Sequence, residues 1–418
     1  MPDTQILQGF RALALSPSLH TLLDKLAFVK PTPIQQQAIP HALEGSDLIG
    51  IAQTGTGKTL AFGLPIVHRL RDLKGPALIL VPTRELALQV EDVFHKITEP
   101  FGMRTAVLIG GAPMNRQIGQ LRGRPAVIIA TPGRLLDHMQ QRTVDLSHVS
   151  VVVLDEADRM LDMGFAPAIR RILDVTPAAR QTMLFSATMP GEIADIAGRY
   201  LKRPIRIEVE KPGTSAELVT QELFVVESAD KPTLLEDMLH REKGSVLVFA
   251  RTRHGARKIA KSIRNMGHTA AEIHSDRTLP QRKAALAGFK TGEFRILVAT
   301  DIASRGIDVK EISLVLNYDL PDNPDDYVHR IGRTGRAGSP GHAITFAAPE
   351  QSKDIRDIER SMRAQIPLSP DSPLKPSRLP QAKHLPTNQK APPQRKLPGP
   401  RGQKRAGETA YAFRGRRR

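Results

Sequence analysis

The sequence predicts an α/β protein with two parallel-sheet domains in tandem, followed by a disordered basic tail. Three observations carry that expectation. Short apolar runs rich in β-branched residues alternate with helix-length segments through most of the chain. Polar, Gly-rich strings follow many of those runs, where open parallel sheets bind their ligands. The last 48 residues hold eight prolines and thirteen Lys/Arg against two acids.

In the first half the strand-like runs are DLIGIA, ALILVP, TAVLIG, AVIIAT, VSVVVL and QTMLFS. In the second half they are ELFVVE, SVLVFA, TAAEIH, FRILVAT, ISLVLNY and HAITFA. Continuous rather than alternating apolar runs mean sheets covered on both faces. Between the halves, IEVEKPGTSAELVTQ contains Pro212-Gly213 and no apolar period, which marks a linker. The expected organisation is a first domain over 1–208, a linker over 209–219, a second domain over 220–370 and a tail over 371–418. No internal repeat is visible.

Composition narrows the function. The chain has 418 residues, 40% of them hydrophobic, enough to build sizeable cores. It has no Cys, which excludes disulfides, thiolate nucleophiles and Cys-based zinc sites. With no Trp and four Tyr, aromatic platforms for single-stranded nucleic acid are scarce. The net charge is +17, of which +11 falls in residues 371–418. A segment so poor in apolar residues cannot fold on its own, and its ending FRGRRR suits a polyanion. The start MPDTQILQGF lacks a basic-then-apolar leader, and no apolar run approaches a membrane span. A soluble cytoplasmic protein is expected.

AQTGTGKT, Ala52 to Thr59, follows a strand and opens a helix. Gly55 and Gly57 let backbone N–H groups curl around phosphate oxygens, and the helix amino end favours the anion. Lys58 supplies a point charge for the β- and γ-phosphates, and the Thr59 hydroxyl suits Mg²⁺. The strict pattern has Gly where this chain has Ala52. Farther on, VVVLDEAD runs a buried strand into Asp155, Glu156 and Asp158, three carboxylates that repel one another when close. A P-loop needs a carboxylate at a neighbouring strand end to hold Mg²⁺, and Asp155 fits. Glu156 fits as the group that orients or deprotonates the attacking water. Asp158 is better placed to tie this loop to a neighbouring motif.

Taken together, these strings resemble the DEAD-box ATP-dependent RNA helicases, which have two RecA-like domains. FVKPTPIQ, Phe28 to Gln35, is similar to the family's Q motif, with Phe10 at its upstream aromatic position. AQTGTGKT, PTREL, Gly110-Gly111, TPGR, DEAD, SAT, ATDIASRGIDV and YVHRIGRTGR follow in the family's order. The match covers residues 10 to about 347 and looks nearest to the bacterial RhlE-like branch.

The resemblance implies roles. Gln35 would hydrogen-bond the adenine edge and Phe28 would pack on its face. Ala52 and Gln53 open the phosphate loop, and Thr54, Gly55, Thr56, Gly57, Lys58 and Thr59 would cradle ATP. Asp155 would hold Mg²⁺ through its waters. Ser186 and Thr188, with Asp158, would couple the carboxylate loop to domain movement. Gly306 and Asp308 would meet the ribose, and Arg333 and Arg336 would act as arginine fingers. Arg84, Gly111, Thr131 and Arg134 in the first domain, with Arg251, Thr300 and Arg305 in the second, match positions that grip the RNA sugar–phosphate backbone. Such contacts carry no sequence information.

Three positions depart from the family pattern. Ala27 stands where a Gly precedes the Q-motif aromatic, a small geometric change. His274-Ser275 replaces His-Gly. Leu279 stands where the family often has Gln three residues before an Arg, here Arg282, which removes a polar contact near RNA. The implied activity is RNA-stimulated ATP hydrolysis coupled to local separation of short duplexes. An ATP-controlled RNA clamp with little unwinding is the alternative, and a DNA helicase is a third reading that 2′-OH contacts would separate.

Overall fold

The computed structural model describes residues 9–52, 55–209, 219–301, 312–335 and 341–374. The expectations for Gln53, Thr54, Arg305, Gly306, Asp308 and Arg336, most of the linker, and the tail from 375 onward lie outside the described residues.

The first sheet contains β1 (Leu48–Ile51), β2 (Ala77–Leu80), β3 (Thr105–Leu108), β4 (Val127–Ala130), β5 (Val151–Leu154), β6 (Gln181–Ser186) and β7 (Ile205–Glu208). Its order is β3-β4-β2-β5-β6-β1-β7, and every pair is parallel. In β1, β2, β4 and β5 every residue is buried, because helices cover both faces and each face has its own apolar cluster. Ala130 pairs with Leu80, and Leu80 with Leu154. That register brings Val81, Thr131 and Asp155 to one rim.

The second sheet contains β8 (Val219–Val225), β9 (Val246–Phe249), β10 (Ala270–Ile273), β11 (Ile296–Ala299), β12 (Leu314–Asn317) and β13 (Gly341–Ala347). Its order is β10-β11-β9-β12-β13-β8, again all parallel. Two further apolar clusters line its faces.

Two segments differ from the sequence reading. β7 was not among the expected runs: in IRIE the apolar residues alternate with charges, as suits an edge strand with one face open. Residues 371–374, expected to begin the tail, are bound to the second domain. Leu368 bridges Leu223, Asp371 pairs with Arg241 at 3.0 Å, and Leu374 N–H donates to the Val225 carbonyl at 3.3 Å. The physical reason is a set of apolar anchors, Ile366, Leu368 and Leu374, packed on the second core within a Pro-rich stretch.

The change at Ala27 is larger than expected. Ala27 has φ 57°, in the left-handed region where a Cβ is strained by roughly 1–2 kcal/mol.

Candidate nucleotide and nucleic-acid site

The phosphate loop leaves β1 and turns into the helix Lys58–Arg69. Gly57, with φ 89°, caps that helix in a left-handed conformation, and a Cβ there would collide with the Gln35 amide. Gln35 is buried and uses both ends of its side chain on protein. Its Nε2 donates to the Gly57 carbonyl at 2.9 Å, and its Oε1 accepts from Thr32 N–H at 2.9 Å. The Q motif is thus bonded directly to the phosphate loop. Phe28 is 41% exposed and, with Phe10, Leu23, Ala27 and Val29, walls a cavity of about 200 Å³. Lys58 is buried, and its Nζ donates to the Ala52 carbonyl at 3.1 Å, across the loop from its own backbone.

Beyond β5, Asp155, Glu156 and Asp158 are all buried. Burial pushes the Asp155 carboxyl up to about 6, against the pull of Lys58. Burial also acts against Glu156, but Arg159, Lys58 and Arg333 together outweigh it and hold its carboxyl below the usual range. Arg159 Nη1 donates to Glu156 Oε2 at 2.9 Å, while the buried Oε1 has no hydrogen-bond partner. Glu156 itself has φ 52°, an unusual conformation for a residue with a Cβ. Asp158 has a separate task. Its Oδ2 accepts from Ala187 N–H at 3.0 Å, Thr188 N–H at 2.9 Å and the Thr188 hydroxyl at 3.1 Å. Its own N–H donates to Ser186 Oγ at 3.2 Å. The SAT string is therefore stitched to the carboxylate loop.

The second domain reaches this rim. Arg333 is buried close enough to lower the Glu156 pKa, and a small cavity is walled by Arg159 from the first domain with Asp301, Asp326, His329 and Arg333 from the second. Behind it, Arg330 forms a two-pronged pair with Asp301, both contacts 2.6 Å, and lies 4.8 Å over the Phe249 ring. Leu279, at the position that differs from the family, is buried in the apolar cluster of the first domain. Nearby, Arg282 pairs with Glu85.

The residues expected to meet RNA collect beyond β2, β3 and β4. Gly110 and Gly111 lie against the Arg84 guanidinium, and a Cβ on Gly111 would stand 2.6 Å from Arg84 Nη1. Arg134 Nη1 donates to the Ala112 carbonyl at 3.0 Å, so this residue also braces the Gly–Gly loop. Thr131 caps the helix Pro132–Gln140. In the second domain, Arg251 is exposed and pairs with Asp322 at 3.3 Å, and Thr300 follows β11.

The sequence reading missed Arg159, Arg330 and Gln117. Arg159 directly follows DEAD, and the repulsion of three buried carboxylates was the signal for a nearby cation. Gln117 is buried and clamps the Gly–Gly loop from both sides, with Nε2 3.1 Å from the Ile109 carbonyl and 3.2 Å from that of Ala112. Nothing in its helical sequence marked it.

The DEAD/DEAH box helicase family model matches residues 32–196, and the helicase conserved C-terminal domain matches 230–338. The ATP-dependent RNA helicase CshA of Listeria monocytogenes is 42% identical over 360 residues, 85% of this chain and 69% of that protein. CshA of Limosilactobacillus reuteri is 42% identical over 366 residues, covering 86% and 73%. This chain is a DEAD-box ATP-dependent RNA helicase.

Among solved DEAD-box structures, the chain resembles a variant of S. cerevisiae Dbp5 bound to RNA and ADP BeF3 with a TM-score of 0.78. The identity is 30%, covering 87% of this chain and 95% of that one. DEAD-box helicase Mss116 bound to ssRNA and UDP-BeF gives 0.79 at 28% identity, covering 85% and 78%. The same Dbp5 variant bound to Gle1 and IP6 gives 0.69. The likeness is thus greater to the RNA-bound Dbp5 structure than to the Gle1-bound one. Among the described residues, no helix is long and apolar enough to cross a membrane.

Proposed function

We propose that ATP and RNA together draw the two domains into this arrangement, and that hydrolysis releases them, so that one bound strand is bent and a short duplex loses pairs locally. The observation that carries the reading is the divided site: Lys58, Asp155 and Glu156 are buried beyond the first sheet, and Arg333 of the second domain walls the same small cavity as Arg159, the partner of Glu156.

The chemistry follows from the chain's own groups. Arg159 occupies Glu156 Oε2, which leaves Oε1 as the atom able to accept a proton from the attacking water. Lys58 lies across the phosphate loop, placed to meet the β- and γ-phosphates once ATP displaces its contact with Ala52. Arg333 supplies charge that arrives only on closure, and such a finger is worth roughly 10³–10⁵ in rate. Arg336 is assigned the same role from its motif. Gln35 and Phe28 would select the base, the first while keeping the loop at Gly57 in place.

Mg²⁺ fits the donor set, because Asp155 is a buried carboxylate just beyond β5 and Thr59 lies in the first turn of the helix that follows the phosphate loop, and such a site needs only one or two carboxylates besides phosphate and water. When bound, it would neutralise charge on the transferring phosphate. Asp158, Ser186 and Thr188 would pass the state of the carboxylate loop to the domain contact. Arg84, Gly111, Thr131, Arg134, Arg251 and Thr300 would hold phosphates and 2′-OH groups without reading sequence. We place the activity in the cytoplasm.

The test is RNA-stimulated ATP hydrolysis and strand separation by the parent chain and by Glu156→Gln. The variant should bind ATP and RNA but hardly turn over, because an amide cannot accept the proton. Near-parental hydrolysis would remove Glu156 from the mechanism. Nucleotide-dependent RNA retention without strand separation by the parent would favour the clamp.

A further inference from the structure

The helix Arg253–Asn265 starts two residues after Arg251, one of the residues proposed to hold RNA. Its sequence, RHGARKIAKSIRN, has five Lys/Arg and no acid. No other described helix has more than three Lys/Arg. At about 100° per residue, Arg253, Arg257, Lys258, Lys261 and Arg264 fall within an arc of about 140°. All five are exposed, and the opposite face, Ala256, Ile259, Ala260 and Ile263, is buried on the second domain.

Such a face is internally unfavourable. Arg253 and Arg257, Arg257 and Lys261, Lys258 and Lys261, and Lys261 and Arg264 are like-charged neighbours at helical spacing, which destabilise a helix. Arg253 also sits at the amino end, where the helix dipole disfavours a cation. Asp276 offsets only that end, pairing with Arg253 at 2.6 Å and Arg257 at 3.7 Å. Arg264 is partly held by the Ala270 carbonyl at 3.1 Å. Lys258 and Lys261 face solvent in the middle of the stripe.

A mixed-charge surface would serve solubility without this self-repulsion; the helix Ser352–Met362 has three cations and three acids. A polyanion relieves the repulsion, and continuity with Arg251 decides which. We infer that the outer face of Arg253–Asn265 is a second RNA-backbone surface, which takes phosphates of a strand that continues out of the groove between the domains. The inference rests on the functional reading above and extends it from the groove to the flanking strand.

The experiment uses the full chain and its Lys258→Glu/Lys261→Glu variant. A second variant, Lys353→Glu/Arg356→Glu, changes net charge equally on the helix Ser352–Met362. Affinity is measured with AMP-PNP across a salt series, for a short single strand filling only the groove and a strand several times longer. The long strand should lose about tenfold in affinity with Lys258→Glu/Lys261→Glu, and its salt slope should fall by about 1.4, at about 0.7 per phosphate contact. The short strand and the second variant should change less than about twofold.

Unchanged long-strand affinity would overturn the inference and leave a solvated face. Equal losses on both strands, or an equal loss from the second variant, would overturn it in favour of a general field effect. RNA-stimulated hydrolysis by the parent is read on the same samples. Its absence contradicts the functional reading, whereas a stimulated parent whose variant keeps its long-strand affinity contradicts only this inference.

Discussion

Arg282 in the second domain places Nη2 2.8 Å from Oε2 of Glu85 in the first, and both side chains are buried. The pair joins PTREL of one domain to the helix Leu279–Thr291 of the other, so it exists only while the domains are together. Removing one partner leaves the other charge buried, a loss of about 3–5 kcal/mol in such settings. Arg282→Ala should therefore weaken RNA binding in the presence of AMP-PNP by at least about tenfold and leave nucleotide-free binding nearly unchanged. The measurement is RNA affinity with and without the analogue, and an equal loss in both would contradict the account.

The same pair gives closure a pH dependence. Burial raises the Glu85 pKa against the pull of Arg282. Once the domains part and Glu85 meets water, its pKa returns to the ordinary range, so closing takes up a proton between those two values. Analogue-dependent RNA affinity should rise as pH falls through that window, and Glu85→Gln should remove that slope.

Leu279 buries apolar surface on the first domain's cluster, where a Gln would present an amide. Leu279→Gln should weaken closure by about 1–2 kcal/mol, read as a higher RNA concentration for half-maximal ATPase. A lower half-maximal concentration would mean that the polar contact is worth more than the packing.

Ala27→Gly relieves a left-handed backbone. The chain should gain roughly 1 kcal/mol, seen as a higher urea midpoint at unchanged slope. An unchanged or lower midpoint would show that the strain is offset elsewhere.

Residues 375–418 carry thirteen Lys/Arg and one acid, Glu408. Deleting them should lower RNA affinity and flatten its salt slope by roughly 2–3 units if three or four phosphate contacts are lost. The maximal ATPase rate should stay within about a factor of three, because the finger and carboxylates are intact. The cut belongs after Leu374, since residues 371–374 are tied to the second domain.

Most of the fold was legible because a strand buried on both faces leaves an uninterrupted apolar run, as β1, β2, β4, β5, β9 and β11 do. β7 escaped because an edge strand needs only Ile205 and Ile207 on one side. The site was legible where its chemistry forces residue type, as at Gly57, Lys58 and Asp155. It was not legible where a residue works through another. Gln117 shows this: its job is to satisfy the backbone of a loop eight positions away, and amide side chains occur on any helix. Ala27 shows the converse, a substitution that looks mild in sequence and is costly only at its φ.

In the proposed mechanism one closed arrangement serves ATP and RNA together. The most direct measurement is a binding cycle: RNA affinity with and without AMP-PNP, and AMP-PNP affinity with and without RNA. Each ligand should strengthen the other by the same factor, at least about tenfold, and Arg282→Ala should shrink both factors together. Independent binding of the two ligands, or a chain ending at Val209 that hydrolyses ATP at the full RNA-stimulated rate, would contradict it.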